Sequence, residues 1–118
     1  MPKYMLLLHN SSTSAARNVA PGDIAKIVQE YKAWAERLGQ EGKLVGGEKL
    51  ADDAGRILRP GKNGSATVTD GPYAESKELM GGYFCINAPD YDAAVTIAQT
   101  SPHLKYGGNI EVRKVDFT

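Results

Sequence analysis

The stretch TDGPYAESKELMGGY, residues 69–83, joins a tight turn, a group of charges and the start of an apolar strand. In the turn at residues 70–72, glycine allows a positive φ, while proline fixes its own φ and restricts the residue before it. The charges end at Leu79, where an apolar run begins. This order predicts a turn that leads a polar segment into a central strand over residues 79–88. Such a segment can line a site, or it can be only a well-made turn.

The segments on either side follow the patterns of two helices and five further strands. Apolar residues recur at helical spacing from Ile24 to Leu38, with Asp23 as the expected cap or first-turn acid, and the opposite face, which includes Glu30, suits solvent. Glycines 46–47 interrupt a strand and predict a bulge or a close approach to the backbone. The helices are predicted to open at residues 21–23 and 89–90 and to end at 39–42 and 101–102, and the further strands to cover 3–9, 43–51, 55–59, 65–69 and 109–115.

This order of elements predicts an α+β fold. β-α-β, a β-hairpin and a second β-α-β are the pattern of a ferredoxin-like, split βαβ domain with a hairpin insertion. Two helices cover only one face of a four-stranded sheet, and leaving the apolar opposite face in water would cost about 25 cal/mol per Å². We therefore expect a second copy of the chain to pack on that face about a two-fold axis.

Composition limits the classes of function. At 118 residues the chain is predicted to form one domain, residues 1–118. The 14 basic and 14 acidic residues cancel, so there is no overall positive field to attract nucleic acid. The single cysteine, Cys85, excludes an internal disulfide and a cysteine-rich zinc site, and the two histidines lack a metal-ligand spacing. We expect no metal and no cofactor, because no glycine-rich phosphate loop is present either. No apolar stretch reaches the length of a membrane span, which favours a cytoplasmic protein.

Four short motifs together resemble a known family. They are YKAW at residues 31–34, LVGGEKL at 44–50, DGPYAESKE at 70–78 and GGNIEVR at 107–113. In this combination and order the chain resembles the YCII-related proteins, in the branch named for an Asp-Gly-Pro-Phe motif, with Tyr73 in place of the phenylalanine. The resemblance covers nearly the whole chain and implies a dimeric α/β barrel.

The resemblance also bears on the chemistry. Some members of the family are thought to use a His–Asp pair, with the His on the first helix and the Asp just before a proline after the second helix. One class of members eliminates chloride from a chlorinated hydroquinone. At the matching positions this chain has Tyr31 and Ser101. The resemblance therefore implies the fold without that dyad, and it speaks against dehydrochlorinase-like chemistry here.

Three residues are candidates for acid/base catalysis, namely His9, Asp70 and Glu75. His9 ends the first strand, and an imidazole suits a general acid or base, although a strand-end histidine can also be only hydrogen-bonded or solvated. Asp70 suits a general base or an Asx-type turn. Glu75 and the nearby Lys77 would bind a polar substrate in one cleft, or form an exposed ion pair.

Five residues are candidate ligand-binding positions, namely Tyr31, Glu48, Tyr73, Lys77 and His103. Tyr31 lies on the apolar face of the first helix, where core packing is the usual role unless the hydroxyl points into a cleft. Glu48 follows the glycine pair and would reach across the sheet toward the turn. His103 follows the second helix in a predicted loop, where it would bind an anionic group or be solvated.

These patterns predict a small cytoplasmic homodimer that binds a small polar or aromatic molecule between the sheet and residues 70–78. One hypothesis is a lyase- or isomerase-type acid/base enzyme, and a second is a non-catalytic binding or regulatory module. A third is a purely structural dimer. The enzyme hypothesis requires a histidine or carboxylate within hydrogen-bond reach of another titratable group in a closed pocket.

Overall fold

The structure is a computed structural model that describes residues 1–11, 21–51, 55–70 and 78–116. Within these ranges the chain forms an α+β fold, as the sequence predicts, and no described helix is long and apolar enough to cross a membrane. The strands are β1 (Lys3–Ser11), β2 (Leu44–Lys49), β3 (Arg56–Pro60), β4 (Ala66–Asp70), β5 (Glu78–Asn87) and β6 (Asn109–Lys114), and the helices are α1 (Pro21–Gln40), α2 (Tyr91–Gln99) and α3 (Pro102–Lys105).

Four strands form one antiparallel sheet in the order β2-β5-β1-β6. β1 pairs antiparallel with both β5 and β6, and β5 also pairs antiparallel with β2. Consequently β1 and β2 run parallel with β5 between them, and β5 and β6 run parallel with β1 between them. Each β-α-β unit is thus split by a strand of the other unit, and β1 and β5 are the two central strands.

The core lies between one face of this sheet and the helices. Alternation along β1 places Tyr4, Leu6 and Leu8 on the covered face, where each is buried. Trp34 of α1 packs edge-to-face on Phe84 of β5, with ring centroids 5.0 Å apart. The other core residues, from α1, β5 and α2 with its preceding turn, are Leu38, Ile86, Ala88, Ala94, Ile97 and Ala98.

The helix ends follow capping chemistry, with one departure from the sequence prediction. Asp90 caps α2, since its side chain accepts a hydrogen bond from the backbone N–H of Ala93 at 2.8 Å. The prediction that His103 lies in a loop is wrong, because residues 102–105 form the short helix α3. Its cap is Ser101, so one segment ends α2 and begins the next helix.

The glycine pair in β2 has both predicted features. The register against β5 shifts between Leu44 and Gly46, so the strand bulges there. A Cβ atom on Gly47 would lie 2.6 Å from the carbonyl oxygen of Tyr83 and 2.7 Å from a ring carbon of Phe84. The neighbouring strand therefore approaches β2 too closely for any side chain at position 47.

The sheet face turned away from the helices carries a partly exposed apolar patch. Leu7 lies opposite Tyr83, and Met5 lies opposite Cys85, across the central strand pair. All four are only partly buried. We call these four residues the open face, and no helix of the described ranges packs its core residues against it.

β3 and β4 form a separate hairpin, as predicted. The 3-10 turn Lys62–Gly64 closes it, with Asn63 in the left-handed region at φ 58°. The cross-strand pair Leu58 and Val68 stays 64% and 55% exposed, so the hairpin buries little apolar surface within this chain.

Candidate functional site

α1, α3 and β1 meet near the end of the sheet where β1 finishes. The hydroxyl of Tyr31 lies 2.7 Å from Nδ1 of His103, which is 72 positions further along the chain. Nε2 of His103 lies 3.0 Å from the backbone carbonyl oxygen of His9. His103 is 5% exposed and Tyr31 is half-buried. The structure thus brings together two of the five predicted ligand-binding residues.

The partners of His103 decide which ring nitrogen carries the proton in the neutral imidazole. A carbonyl oxygen only accepts hydrogen bonds, so Nε2 must donate to His9. Nδ1 is then the acceptor, and the Tyr31 hydroxyl donates to it. Burial is the main cause that lowers the pKa of His103, although hydrogen bonds to the backbone of His9 and Asn109 oppose it. The neutral form is therefore favoured in the folded protein.

The environment of Tyr31 keeps its hydroxyl protonated. Burial, followed by the nearby Tyr106 and Glu30, raises the pKa of Tyr31 to about 12. A hydroxyl oxygen has two lone pairs, so it can accept a hydrogen bond from a ligand while it donates to His103. Tyr31 is therefore a donor to the imidazole with acceptor capacity left over.

The backbone around α3 holds the His103 ring in place. The Ser101 hydroxyl oxygen accepts from the His103 backbone N–H at 3.1 Å, and Pro102 occupies the first helical turn. The Gly108 N–H donates to the His103 carbonyl at 3.0 Å. A Cβ atom at Gly108 would collide with the imidazole ring. The ring therefore fits only because position 108 has no side chain.

Glu30, which precedes Tyr31 on α1, binds the two residues that come shortly after His103. Its carboxylate accepts from the Tyr106 hydroxyl at 2.5 Å and from Nζ of Lys105 at 3.0 Å. The hydrogen bond from Tyr106, followed by that from Lys105, lowers the pKa of Glu30. We call these three side chains the Glu30 clamp. The sequence pattern placed Glu30 on a solvent-facing side of the helix and therefore did not predict the Glu30 clamp.

The side chain of His9 lies on the open-face side of the sheet. Its Nε2 is 3.2 Å from Oε1 of Glu111, and the other carboxylate oxygen accepts from Arg113 at 3.0 Å. The hydrogen bond from Arg113 is the largest cause that lowers the pKa of Glu111, followed by the one from His9. His9 therefore contacts His103 through its backbone carbonyl and the Glu111–Arg113 pair through its ring.

The other candidates lie apart from this cluster or outside the described residues. Asp70 ends β4 and accepts from Arg56 at 3.2 Å, with the Asp70 side chain 81% and the Arg56 side chain 70% exposed. Glu48 is exposed on β2, opposite Tyr83. The remaining candidates lie outside the described residues, and their roles stay predictions, namely Tyr73, Glu75 and Lys77.

A groove of about 410 Å³ lies between α1 and the corner that joins α2 to α3. In it the indole N–H of Trp34 donates to the Thr100 hydroxyl at 2.8 Å, and that hydroxyl donates to the Ile97 carbonyl at 2.6 Å. Glu30 and Lys105 also line the groove. One side of the Glu30 clamp is therefore in contact with solvent.

Comparison with known proteins gives the family. The family model of the YCII-related domain matches residues 3–117. The chain belongs to the YCII-related family. This confirms the resemblance drawn from the motifs, while the placement of this YCII-related protein in the Asp-Gly-Pro-Phe branch stays a prediction. No curated protein matches the chain.

Among solved structures, the chain is similar to 5-chloro-2-hydroxyhydroquinone dehydrochlorinase from Burkholderia phenoliruptrix, in complex with 2,5-dihydroxybenzoquinone. It is 15% identical to this YCII-related protein, with 97% of this chain and 95% of that chain covered and a TM-score of 0.46. A similarity this low supports no argument about the present protein.

In this YCII-related protein the two positions that the resemblance matched to a His–Asp pair have different partners. Ser101 caps α3 by accepting from the His103 backbone. Tyr31 bonds instead to the ring of His103, two positions beyond Ser101. A tyrosine–histidine pair therefore joins the first helix to the segment after the second.

Proposed function

We propose that this YCII-related protein is an acid/base enzyme of the lyase or isomerase type, in which Tyr31 and His103 handle the proton of a small polar or aromatic molecule. The observation that carries the proposal is the 2.7 Å contact between two titratable groups, one buried and one half-buried. Two titratable groups within hydrogen-bond reach of each other are what general acid/base catalysis requires.

The pair is suited to take a proton up and return it. A substrate proton moves to the Tyr31 oxygen as the Tyr31 proton moves to Nδ1 of His103. The imidazolium that forms still donates from Nε2 to the His9 carbonyl. Return of the proton to another atom of the substrate completes an isomerisation, and its transfer to a leaving group completes an elimination. The lowered pKa of His103 favours the neutral imidazole that can accept this proton.

Hydrogen exchange into candidate substrates tests this chemistry directly. In D₂O, the wild-type protein should speed deuterium incorporation at the acidic C–H of small carbonyl or hydroxyaromatic compounds. Removal of the acid/base group in Tyr31→Phe or His103→Gln should lower that rate by about 10²- to 10⁴-fold. Glu36→Gln, an exposed change on the same helix, is the matched control. Equal exchange rates in all four proteins would exclude these residues as the proton carriers.

A non-catalytic binding module is the second candidate. One observation favours it: Tyr31 and His103 already satisfy each other, with the His9 carbonyl as third partner. A metabolite panel separates the two functions, because a ligand that binds the folded chain and not the unfolded one raises the melting temperature. Stabilisation without hydrogen exchange supports the binding module. If no compound gives either stabilisation or hydrogen exchange, the purely structural dimer is the remaining hypothesis.

We also propose that a second copy of the chain covers the open face, and so forms a dimeric α/β barrel. Its support is the apolar patch of Met5, Leu7, Tyr83 and Cys85, which the helices of the same chain leave partly exposed. Light scattering should give twice the chain mass of 12.7 kDa. Leu7→Glu should shift the protein to a monomer, whereas Leu58→Glu on the hairpin should not. A wild-type monomer at micromolar concentration would contradict the proposal.

A further inference from the structure

We infer that Glu30 is a positioning residue for the Tyr31–His103 pair, acting through Tyr106 and Lys105. The inference rests on the proposed function, because it concerns the geometry of the same proton-handling pair. Glu30 touches neither the imidazole nor, in this proposal, the substrate. Its role is to hold the segment that carries His103 against α1.

The argument begins with two neighbouring positions on one helix. Tyr31 bonds to His103, while Glu30 binds Lys105 and Tyr106. Two consecutive residues of α1 thus bind three residues within one short segment. Because α1 is 20 residues long and packs into the core through Trp34 and Leu38, it is the fixed side of this contact.

The segment that carries His103 is short and needs external support. α3 has only four residues, and so short a helix has little stability of its own. At its end the backbone N–H of Tyr106 reaches the Pro102 carbonyl at 3.3 Å. The Glu30 carboxylate accepts from both Lys105 and Tyr106, with its side chain only 26% exposed. It therefore fixes the end of α3 opposite to the Ser101 cap.

The position of the ring has little tolerance. The His103 imidazole lies between the Tyr31 hydroxyl, the His9 carbonyl and the backbone of Gly108, where even a methyl group would collide with it. A small rotation of α3 would lengthen the bonds to Tyr31 and His9 together and admit water to the ring. Loss of the clamp should therefore hydrate His103.

The titration of the His103 ring, followed by NMR, separates positioning from a simple charge effect. Burial is the main cause of its lowered pKa, so hydration should raise the pKa toward the ordinary value of about 6.5. Removal of a nearby negative charge alone would act in the opposite direction, since a carboxylate favours the imidazolium. Glu30→Gln and Tyr106→Phe should both raise the pKa of His103, and Tyr106→Phe does so without any change of charge.

The controls make the result specific to the clamp. His103→Gln assigns the resonances, and Glu36→Gln on the exposed side of α1 should leave the titration unchanged. Lys105→Arg keeps the positive charge and leaves the shorter Tyr106 bond to Glu30 in place, so it should raise the pKa less than Tyr106→Phe. An unchanged or lowered pKa of His103 in folded Glu30→Gln and Tyr106→Phe would overturn the inference. Wild-type protein without hydrogen exchange would instead refute the proposed enzyme, whatever the titration shows.

Discussion

Two hydrogen-bonded side-chain pairs in this protein differ in how far the fold shields them from water. Tyr31 and His103 meet at 2.7 Å between two helices and a strand, and His103 is 5% exposed. Arg56 and Asp70 meet at 3.2 Å on the hairpin, with side chains 70% and 81% exposed. Both pairs include a residue that the sequence indicates as a candidate for function. Only the first is held by several elements of the fold.

The difference lies in desolvation. A buried polar group left without its partner loses the full hydration free energy, about 1 to 3 kcal/mol, whereas an exposed pair exchanges its partner for water. His103 depends on contacts from α1, β1 and Gly108 at once. The proximity of charges on the hairpin thus says little about function, while an enclosed pair constrains its surroundings. The following experiments test this contrast in order of expected effect.

The largest effect is expected at Gly108. Gly108→Ala forces a methyl group into the His103 ring, and such overpacking should lower the free energy of unfolding by about 2 kcal/mol. Urea unfolding measures the change. The matched control is Gly39→Ala on α1, where a Cβ meets nothing within 4 Å and stability should rise slightly or stay constant. Equal effects at the two glycines would show that the space around His103 is not tight.

A smaller loss is expected when the donor to His103 is removed. Tyr31→Phe leaves Nδ1 of the buried imidazole without a hydrogen bond and should lower the free energy of unfolding by about 1 to 1.5 kcal/mol. Tyr91→Phe is the control, because Tyr91 is 47% exposed and water can replace the bond that its hydroxyl accepts from the Lys114 N–H. A loss as large in Tyr91→Phe would show that the hydroxyl–imidazole bond has no special weight.

The pH dependence of stability should distinguish the buried His103 imidazole from the Glu30 carboxylate. The pKa of His103 is lowered in the fold, so the unfolded chain binds a proton first as the pH falls. The contribution of neutral His103 to stability should therefore be fully present above about pH 6.5 and decline below that pH, toward the pKa of the folded state. His103→Gln should flatten this decline. The pKa of Glu30 is also lowered, but its contribution is lost only below about 4.3. A melting temperature that does not change between about pH 7 and pH 5 would contradict a lowered pKa of His103 in the folded protein.

The smallest effect is expected on the hairpin. Asp70→Asn removes an exposed ion pair with Arg56 and should change the free energy of unfolding by less than about 1 kcal/mol. The change should shrink further at high salt, because ions screen exposed charges. A loss greater than that of Tyr31→Phe would show that Asp70 has stabilising contacts beyond Arg56.

The strands and the two long helices could be predicted because burial imposes a period on the sequence. Tyr4, Leu6 and Leu8 alternate along β1, and Asp90 marks the start of α2 by its capping chemistry. The bulge at the glycine pair of β2 also followed, since close backbone approach excludes side chains. Each of these features depends on residues that are near one another in the chain.

The site was harder to predict because its contacts join residues that are far apart in the sequence. Tyr31 and His103 were both named as candidates, yet no periodicity relates positions 72 apart. A helical wheel separates the face that meets the sheet from the rest, and therefore assigned Glu30 to solvent although α3 lies beside it. The Ser101-Pro102 signal was used only to end α2, but serine followed by proline is also the pattern that opens a helix.

The hydrogen bond from Trp34 to Thr100 gives this protein a natural optical probe. Trp34 is the single tryptophan of the sequence, and its indole is 3% exposed between α1 and the end of α2. Its fluorescence therefore comes from one known location, and water reaching the ring should shift the emission to longer wavelength. Unfolding, or a molecule that separates these two helices, can be followed in the native chain without any label.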